Sequence, residues 1–284
     1  MGHVRITKMK DPSSFRQIAA AAWPTPNDPT IYGQLDVRAE ALERWLIEVR
    51  ERTGTKVTVT HAVARAVALA LRDHATLNGM IRRNAIYLRD GVDIFLQVAI
   101  PSEDGDVGKA DLSGALIRSA HERSIDAIAT ELRARAAAIR ADQDEEFKKT
   151  KGTLSMVPGF LLRPLLRLID WLQYEWNISL KWAGLAKDPF GSAMVTSLGM
   201  LGVKTAFAPI FPMSHCPLLV LVGAVSDEPV VVDGELAVGR LLRLTASMDH
   251  RMIDGWQASK LAVTLRTYLE QPETMEIAAP PSAP

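Results

Sequence analysis

Residues 62 to 71 read Ala-Val-Ala-Arg-Ala-Val-Ala-Leu-Ala-Leu, and only Arg65 interrupts the apolar run. Alanine and leucine are strong helix formers, so the stretch predicts a helix with no polar stripe to turn toward water. Such a helix is stable only when other elements surround it. Thr60 stands where an N-cap is expected, because a hydroxyl there can accept from the first free amides of the helix. The chain must therefore build layers around residues 62–71, and at 284 residues it is long enough to do so.

Candidate layers are spread along the sequence. Leu42, Trp45, Leu46 and Val49 recur at helical spacing within Val37–Glu51, and Thr53-Gly54 supplies a stop. Ahead of it, residues 1–35 read as an irregular N-terminal arm, because Pro24, Pro26 and Pro29 remove donors and restrict their predecessors. Ala85–Leu88 and Val92–Ile100 are strand-like runs around the turn signal Asp90-Gly91. Residues 102–114 are rich in Gly, Asp and Ser and read as a loop. Ser124 opens a helix to about Arg140 with Ile125, Ile128, Leu132 and Ile139 on one face.

The final third is strand-rich. Ala193–Leu198 precedes a Gly199/Gly202 turn, and Leu218–Val225 is almost wholly apolar. Val230–Val232 and Glu235–Val238 flank Asp233-Gly234, a strong hairpin signal, and Leu241–Met248 is a further strand. A last helix, starting at Asp254 or Gly255, turns Leu261, Leu265, Tyr268 and Leu269 inward. Residues 274–284 read as a disordered Ala/Pro tail.

Between these parts, the charged run 142–151 leads into 158–174. There Arg163, Arg167 and Asp170 share one face and Leu161, Leu162, Leu165, Leu166, Leu168, Ile169 and Leu172 fill the others. This is an amphipathic helix. It can pack on the domain or at a subunit contact, act as a partner-binding or lid helix, or lie on a membrane interface. Trp171 and Trp176 would suit a membrane interface, but the polar face carries only two arginines, so membrane contact is not expected.

Lys+Arg and Asp+Glu both number 33, so no net field attracts nucleic acid, and no basic run argues otherwise. Cys216 is the sole cysteine, which rules out an internal disulfide and leaves no metal-ligand set. Beside His215 in an extended chain it would face away, so it reads as a buried small hydrophobe. His61 and His74 flank the buried helix and read as caps or surface groups. Asp104–Gly108 lacks the terminal glutamate of a cation loop. The longest apolar-looking segment, 154–176, is broken by Pro158, Arg163, Pro164, Arg167 and Asp170, so no membrane span is expected and a cytoplasmic location is.

One stretch carries chemistry. A strand runs into Asp249-His250, and a helix follows about five residues later. A histidine held between two rigid elements suits proton transfer near neutral pH. Asp254 can cap the helix through its carboxylate, and Gly255 permits a backbone conformation or approach that a side chain would block. Alone, the pattern fits turn-and-cap chemistry as well as catalysis.

Asp249-His250-Arg251-Met252-Ile253-Asp254-Gly255, with the helix closing on Tyr268-Leu269-Glu270-Gln271-Pro272, resembles the catalytic domain of the dihydrolipoamide acyltransferases. These are core subunits of 2-oxo acid dehydrogenase complexes, in the superfamily of chloramphenicol acetyltransferases with its His-x-x-x-Asp-Gly motif. Gly191–Gly199 resembles the family's Gly-Thr-Phe-Thr-Ile-Ser/Thr-Asn-x-Gly strand, and Pro209-Ile210-Phe211-Pro212 its Ile-Ile-x-Pro segment. Thr58–Leu71 followed by Leu77-Asn78, and Val98-Ala99, resemble further family segments. The likeness covers roughly residues 14–140 and 190–273.

The resemblance implies an α/β fold of the chloramphenicol acetyltransferase type: a two-layer mixed sheet with packed helices, here carrying an amphipathic insertion near 150–187. The catalytic domain would span 36–273, with the insertion at about 141–190. It implies acyl transfer between coenzyme A and a thiol such as dihydrolipoamide, with His250 as general base and no metal. Aligning on the glycines gives Thr196 as oxyanion donor, with Ser197 as the neighbouring candidate. Asp254 would hold the loop by pairing with an arginine, for which Arg16 is the best match. A homotrimer with its site between subunits is implied, and a higher assembly is left open. No lipoyl domain is read in these residues, so the lipoyl group is expected in trans, on a lipoylated carrier or with dehydrogenase subunits.

The sequence departs from the family at Glu103–Gly114, which replaces a Gly-Leu-x-x-Pro-Val segment lining the substrate channel, and in about thirty extra residues before Gly191. Thr274–Pro284 lacks the Leu-rich terminus by which family trimers assemble into shells. Two other readings therefore stand beside the first: a non-catalytic scaffold, and a free-standing acetyltransferase of small molecules.

Overall fold

The structure is a computed structural model, and it describes residues 28–100, 111–141 and 158–276. The apolar run forms helix α2, Val59–Asp73, and every residue from Ala62 to Leu71 is buried. Its cap is Thr58 rather than Thr60, in a reciprocal box with His61, whose Nδ1 accepts the Thr58 N–H at 3.0 Å. Arg65 is buried with them because its guanidinium donates to three carbonyls: Ala120 at 3.0 Å, His121 at 2.7 Å and Met275 at 3.2 Å. Burial pulls its pKa down to about 10.

Three helices share the face of the sheet that α2 covers. These are α1 (Glu40–Thr53), α3 (Ile125–Arg140) and α5 (Gly255–Glu270). Helix α1 ends where expected, with Gly54 at φ 66°, a left-handed conformation that glycine adopts without strain. Helix α4, Gly159–Asp170, lies in the expected amphipathic segment and passes into a π turn over Trp171–Glu175.

Six strands make one mixed sheet: β1 (Thr30–Arg38), β4 (Ile94–Ile100), β5 (Asp111–Ile117), β6 (Ala193–Ser197), β7 (Leu218–Val232) and β8 (Glu235–Asp249). They lie in the order β1-β8-β7-β6-β4-β5, with β6 parallel to both its neighbours and the other pairs antiparallel. Strands β2 (Gly79–Arg82) and β3 (Ala85–Leu88) form a separate hairpin. Alternate residues such as Ile94, Leu96, Val195, Val220 and Leu244 join the helices in one core.

The opposite face of the sheet is more polar. A strap of chain, residues 203–211, crosses it, fastened by the Thr245 hydroxyl donating to the Ala206 carbonyl and the Ser247 hydroxyl to the Ala208 carbonyl at 2.6 Å. The strap fits because Gly223 has no side chain. A Cβ there would stand 2.2 Å from the Lys204 carbonyl oxygen. The register of β7 against β8 shifts at the same point, between Val222 and Val225.

Several expectations need correction. Residues 30–35, read as part of an irregular arm, are strand paired to β8, and the helix expected from Val37 begins at Glu40. The prolines end at Pro29, one residue before the strand, and the inward alternation of Leu35 and Val37 takes over. Asp90-Gly91 does lie between two strands, β3 and β4, but these do not pair with each other. β3 instead pairs with β2 through Arg83 and Asn84, both at positive φ (48° and 59°). Strand β5 begins inside the expected loop, its Gly114 lying under the Phe95 ring, where a Cβ would meet ring carbons at 1.9 Å. Thr274 and Met275, read as the start of a tail, belong instead to a short turn, Pro272–Met275, in which Met275 is buried; residues 277–284 lie outside the described residues. The Asp104–Gly108 loop, the charged run from Asp142 and Arg16 lie outside the described residues. Among the described residues no helix is long and apolar enough to cross a membrane.

Burial, with Arg133 nearby, pushes the His61 pKa down to about 4 from 6.5. The unfolded chain therefore binds the proton first, and stability present above pH 6.5 is lost as pH falls toward 4. Denaturant melts across that window should show the loss, and His61→Gln should flatten it; an unchanged slope would contradict the assignment.

Candidate active site

The chain beyond β8 turns sharply under backbone control. The Asp249 carbonyl accepts from the Met252 and Ile253 N–H groups, both at 2.9 Å, and Asp249 N–H donates to Pro217 O at 3.0 Å. His250 N–H donates to Pro29 O at 2.9 Å, so the residue just before β1 holds the turn in place. Met252 and Ile253 are buried as its anchors. The Asp249 carboxylate is taken by Arg251, through Nη2 at 2.6 Å and Nε at 2.9 Å.

The His250 side chain is exposed, with Nδ1 at 3.3 Å from the Ile253 carbonyl oxygen. A carbonyl can only accept, so Nδ1 carries the proton in this contact and Nε2 presents its lone pair. Nε2 makes no hydrogen bond among the described residues. An oriented imidazole with a free basic nitrogen facing solvent can take a proton from an incoming group.

Asp254 performs the cap read from sequence. Its Oδ1 accepts from Gln257 N–H at 2.9 Å, while Gln257 Oε1 accepts from Asp254 N–H at 2.8 Å. It forms no ion pair among the described residues, and its expected partner Arg16 lies outside them. Gly255 is not needed for close approach within the chain, since a Cβ there would meet nothing within 4 Å. The space beside the His250 turn is open.

Thr196 sits on β6, 9% exposed, and its hydroxyl has no hydrogen-bond partner among the described residues. Alternation puts it on the strap-covered face with Met194, and turns Ser197 to the helix face with Val195. Thr196 pairs with Leu221, and Leu221 with Thr245. His250 is thus five rows along β8 and two strands across from Thr196. At about 3.3 Å per row and 4.8 Å per strand the separation is roughly 19 Å. Within one chain the two groups do not meet.

His215 and Cys216 go separate ways as expected, but not through strand alternation: both precede β7, and His215 turns the chain at φ 51°. The Cys216 thiol donates to Gly191 O at 3.2 Å, and burial pushes its pKa up to about 12. His215 is 2.7 Å from Asp170 Oδ1 and stacks on Tyr174 at 3.9 Å, which docks the end of the amphipathic segment on the domain. No residue of α4 itself is buried. Among the described residues no group of three or more His, Cys, Asp or Glu could hold a metal.

Sequence reasoning missed the backbone acceptors Pro29 and Ile253, which leave no trace in residue type. Thr245 and Ser247 left one: two hydroxyls at i, i+2 on an apolar strand mark a face that must satisfy them.

A sequence model of the family "2-oxoacid dehydrogenases acyltransferase (catalytic domain)" matches residues 15–157 and 189–277. The dihydrolipoyllysine-residue acetyltransferase component of the acetoin cleaving system of Bacillus subtilis is 28% identical over 225 residues, covering 79% of this chain and 44% of that protein. The corresponding component of the Rhizobium meliloti pyruvate dehydrogenase complex is 26% identical over 254 residues, 87% of this chain and 46% of that one. The chain thus spans less than half the length of these curated relatives. Among solved structures, the dihydrolipoamide acetyltransferase of Azotobacter vinelandii aligns with a TM-score of 0.63 at 21% identity, covering 96% of this chain and 94% of that one. A chloramphenicol acetyltransferase aligns at 0.50 and 13%, covering 85% and 89%. The fold is therefore that of the chloramphenicol acetyltransferases.

Replacing Asp254 by Ala should cost about 1 kcal/mol through loss of the α5 cap, while Asp254→Asn should cost little. Chemical denaturation of both variants measures this, and equal losses would contradict a capping role.

Proposed function

The chain belongs to the 2-oxoacid dehydrogenase acyltransferase family, and from that premise we propose that it moves an acyl group between coenzyme A and a thiol acceptor such as dihydrolipoamide. The observation that carries the reading is the His250 turn, where Nδ1 is tied to a carbonyl and Nε2 is left free and exposed.

In the proposed reaction Nε2 takes the proton of the attacking thiol, and the thiolate adds to the thioester carbonyl carbon. The tetrahedral intermediate bears a negative oxygen, which the Thr196 hydroxyl stabilises by donating a hydrogen bond. Collapse breaks the other carbon–sulfur bond, and the departing thiolate recovers the proton from the imidazolium. No acyl-enzyme forms and no metal enters. Support for Thr196 comes from its unpartnered hydroxyl on the face opposite the helices; Ser197 faces the other way.

Because His250 and Thr196 are roughly 19 Å apart by strand geometry, the reading requires a second copy to bring its Thr196 to the first copy's His250. A homotrimer meets that need, with each site between neighbours. The space beside Gly255 is where such a neighbour or the coenzyme would enter. The lipoyl group would arrive on a separate carrier, and assembly beyond the trimer belongs to the same proposal. The two alternative readings gain no specific observation.

With acyl-coenzyme A and dihydrolipoamide, His250→Ala should lower kcat about 10²–10⁴-fold. Thr196→Ala should lower it about 10²–10³-fold, and Thr196→Ser should keep most activity. Unchanged turnover in His250→Ala, in protein with native circular dichroism, would sink the proposal.

A further inference from the structure

A cleft of about 290 Å³ opens between the β2–β3 hairpin and the chain that follows α4; Met80, Leu88, Arg89, Tyr174, Ile178 and Lys187 are among its walls. At its base the Arg89 side chain is only 10% exposed. One terminal nitrogen, Nη1, pairs with Asp188. The other two nitrogens, Nε and Nη2, are buried and have no hydrogen-bond partner among the described residues.

These two nitrogens form one edge of the guanidinium, with parallel N–H groups at the spacing of two oxygens on a single carbon or phosphorus. The same chain shows that edge in use elsewhere. Arg243 grips the two oxygens of Asp36 through Nε at 2.7 Å and Nη2 at 3.0 Å. A buried donor edge left empty is costly, and proteins rarely retain one without an acceptor to fill it.

The surroundings say what the acceptor is. Arg82, Arg89 and Lys187 line the cleft against one carboxylate, Asp188, so the walls carry surplus positive charge. Met80, Leu88 and Ile178 supply an apolar side. Strand β3, which forms this wall with β2, is exposed along its whole length.

The site shares no residue with the acyl-transfer site proposed above. Its far wall, from Gln173 to Asp188, falls in the stretch between residues 157 and 189 that the family model does not match. The near wall does lean on the His250 turn, since a Cβ at Gly79 would be 3.0 Å from Met252 Cε.

We infer that this cleft binds a small organic anion, an oxyanion group on a short apolar body, gripped two-handed by the Nε–Nη2 edge of Arg89. Calorimetric titration of the full chain with hexanoate and with hexyl phosphate tests it, with hexanamide as the uncharged counterpart. At least one of the two anions should bind saturably, and the tighter one identifies carboxylate or phosphate as the natural group. Hexanamide should bind at least about tenfold more weakly, and Arg89→Gln should lose about tenfold or more. Because Arg89→Gln also loosens Asp188, Ile178→Asp is the second variant: it leaves the Arg89 pair intact and should weaken binding similarly. His250→Ala should bind as the parent does. Absence of saturable binding by either anion, equal affinity for hexanamide, or undiminished binding in both cleft variants would overturn the inference.

Discussion

Strand β8 is paired along both edges, and nearly everything about the candidate site depends on that. On one side Thr30 pairs with Asp249, and on the other Leu218 pairs with Met248. The turn bearing His250 emerges where both ladders end, held by the Pro29 and Pro217 carbonyls that sit just outside β1 and β7. A one-residue slip in either ladder would exchange the faces of β8 and move the turn away from those carbonyls. The buried Leu242 and Leu244 on the helix side, with Thr245 and Ser247 alternating around them, make such a slip expensive.

The same ladders fix what the single chain lacks. Strand β6 runs parallel to β7, so its far end, with Thr196, points away from the end of the sheet where His250 emerges. No side-chain motion closes five rows and two strands. The strap over residues 203–211 covers part of the polar face and satisfies Thr245 and Ser247, yet leaves the Thr196 hydroxyl unpartnered. A donor kept free on a partly covered face is what a site completed by another copy requires. The carrier of the reaction and the carrier of the charge stabilisation are, in this account, different subunits.

Much of this was legible in the sequence. Helix α2 could be nothing but a core helix, and the Asp233-Gly234 hairpin and the cap at Asp254 followed from local chemistry. His250 stood out because a titratable group lay between a strand and a helix. Features resting on long-range pairing were hidden. β1 follows a proline-rich stretch and becomes a strand only because β8 offers it an edge. The Arg83-Asn84 turn lacks the glycine that would advertise it. The role of Gly223 depends on the Lys204 carbonyl nineteen residues away in sequence, and the separation of Thr196 from His250 depends on strand order, which periodicity does not reveal.

The central claim, that each site is shared between copies, is tested most directly by complementation. His250→Ala and Thr196→Ala chains, each inactive alone, would be co-expressed in equal amounts and assayed as mixed assemblies. In a ring of neighbours assembled at random, about a quarter of the sites receive an intact His250 from one copy and an intact Thr196 from the next. Recovery of roughly that fraction of wild-type turnover is the predicted result. Mixed assemblies that stay as inactive as either parent would contradict it.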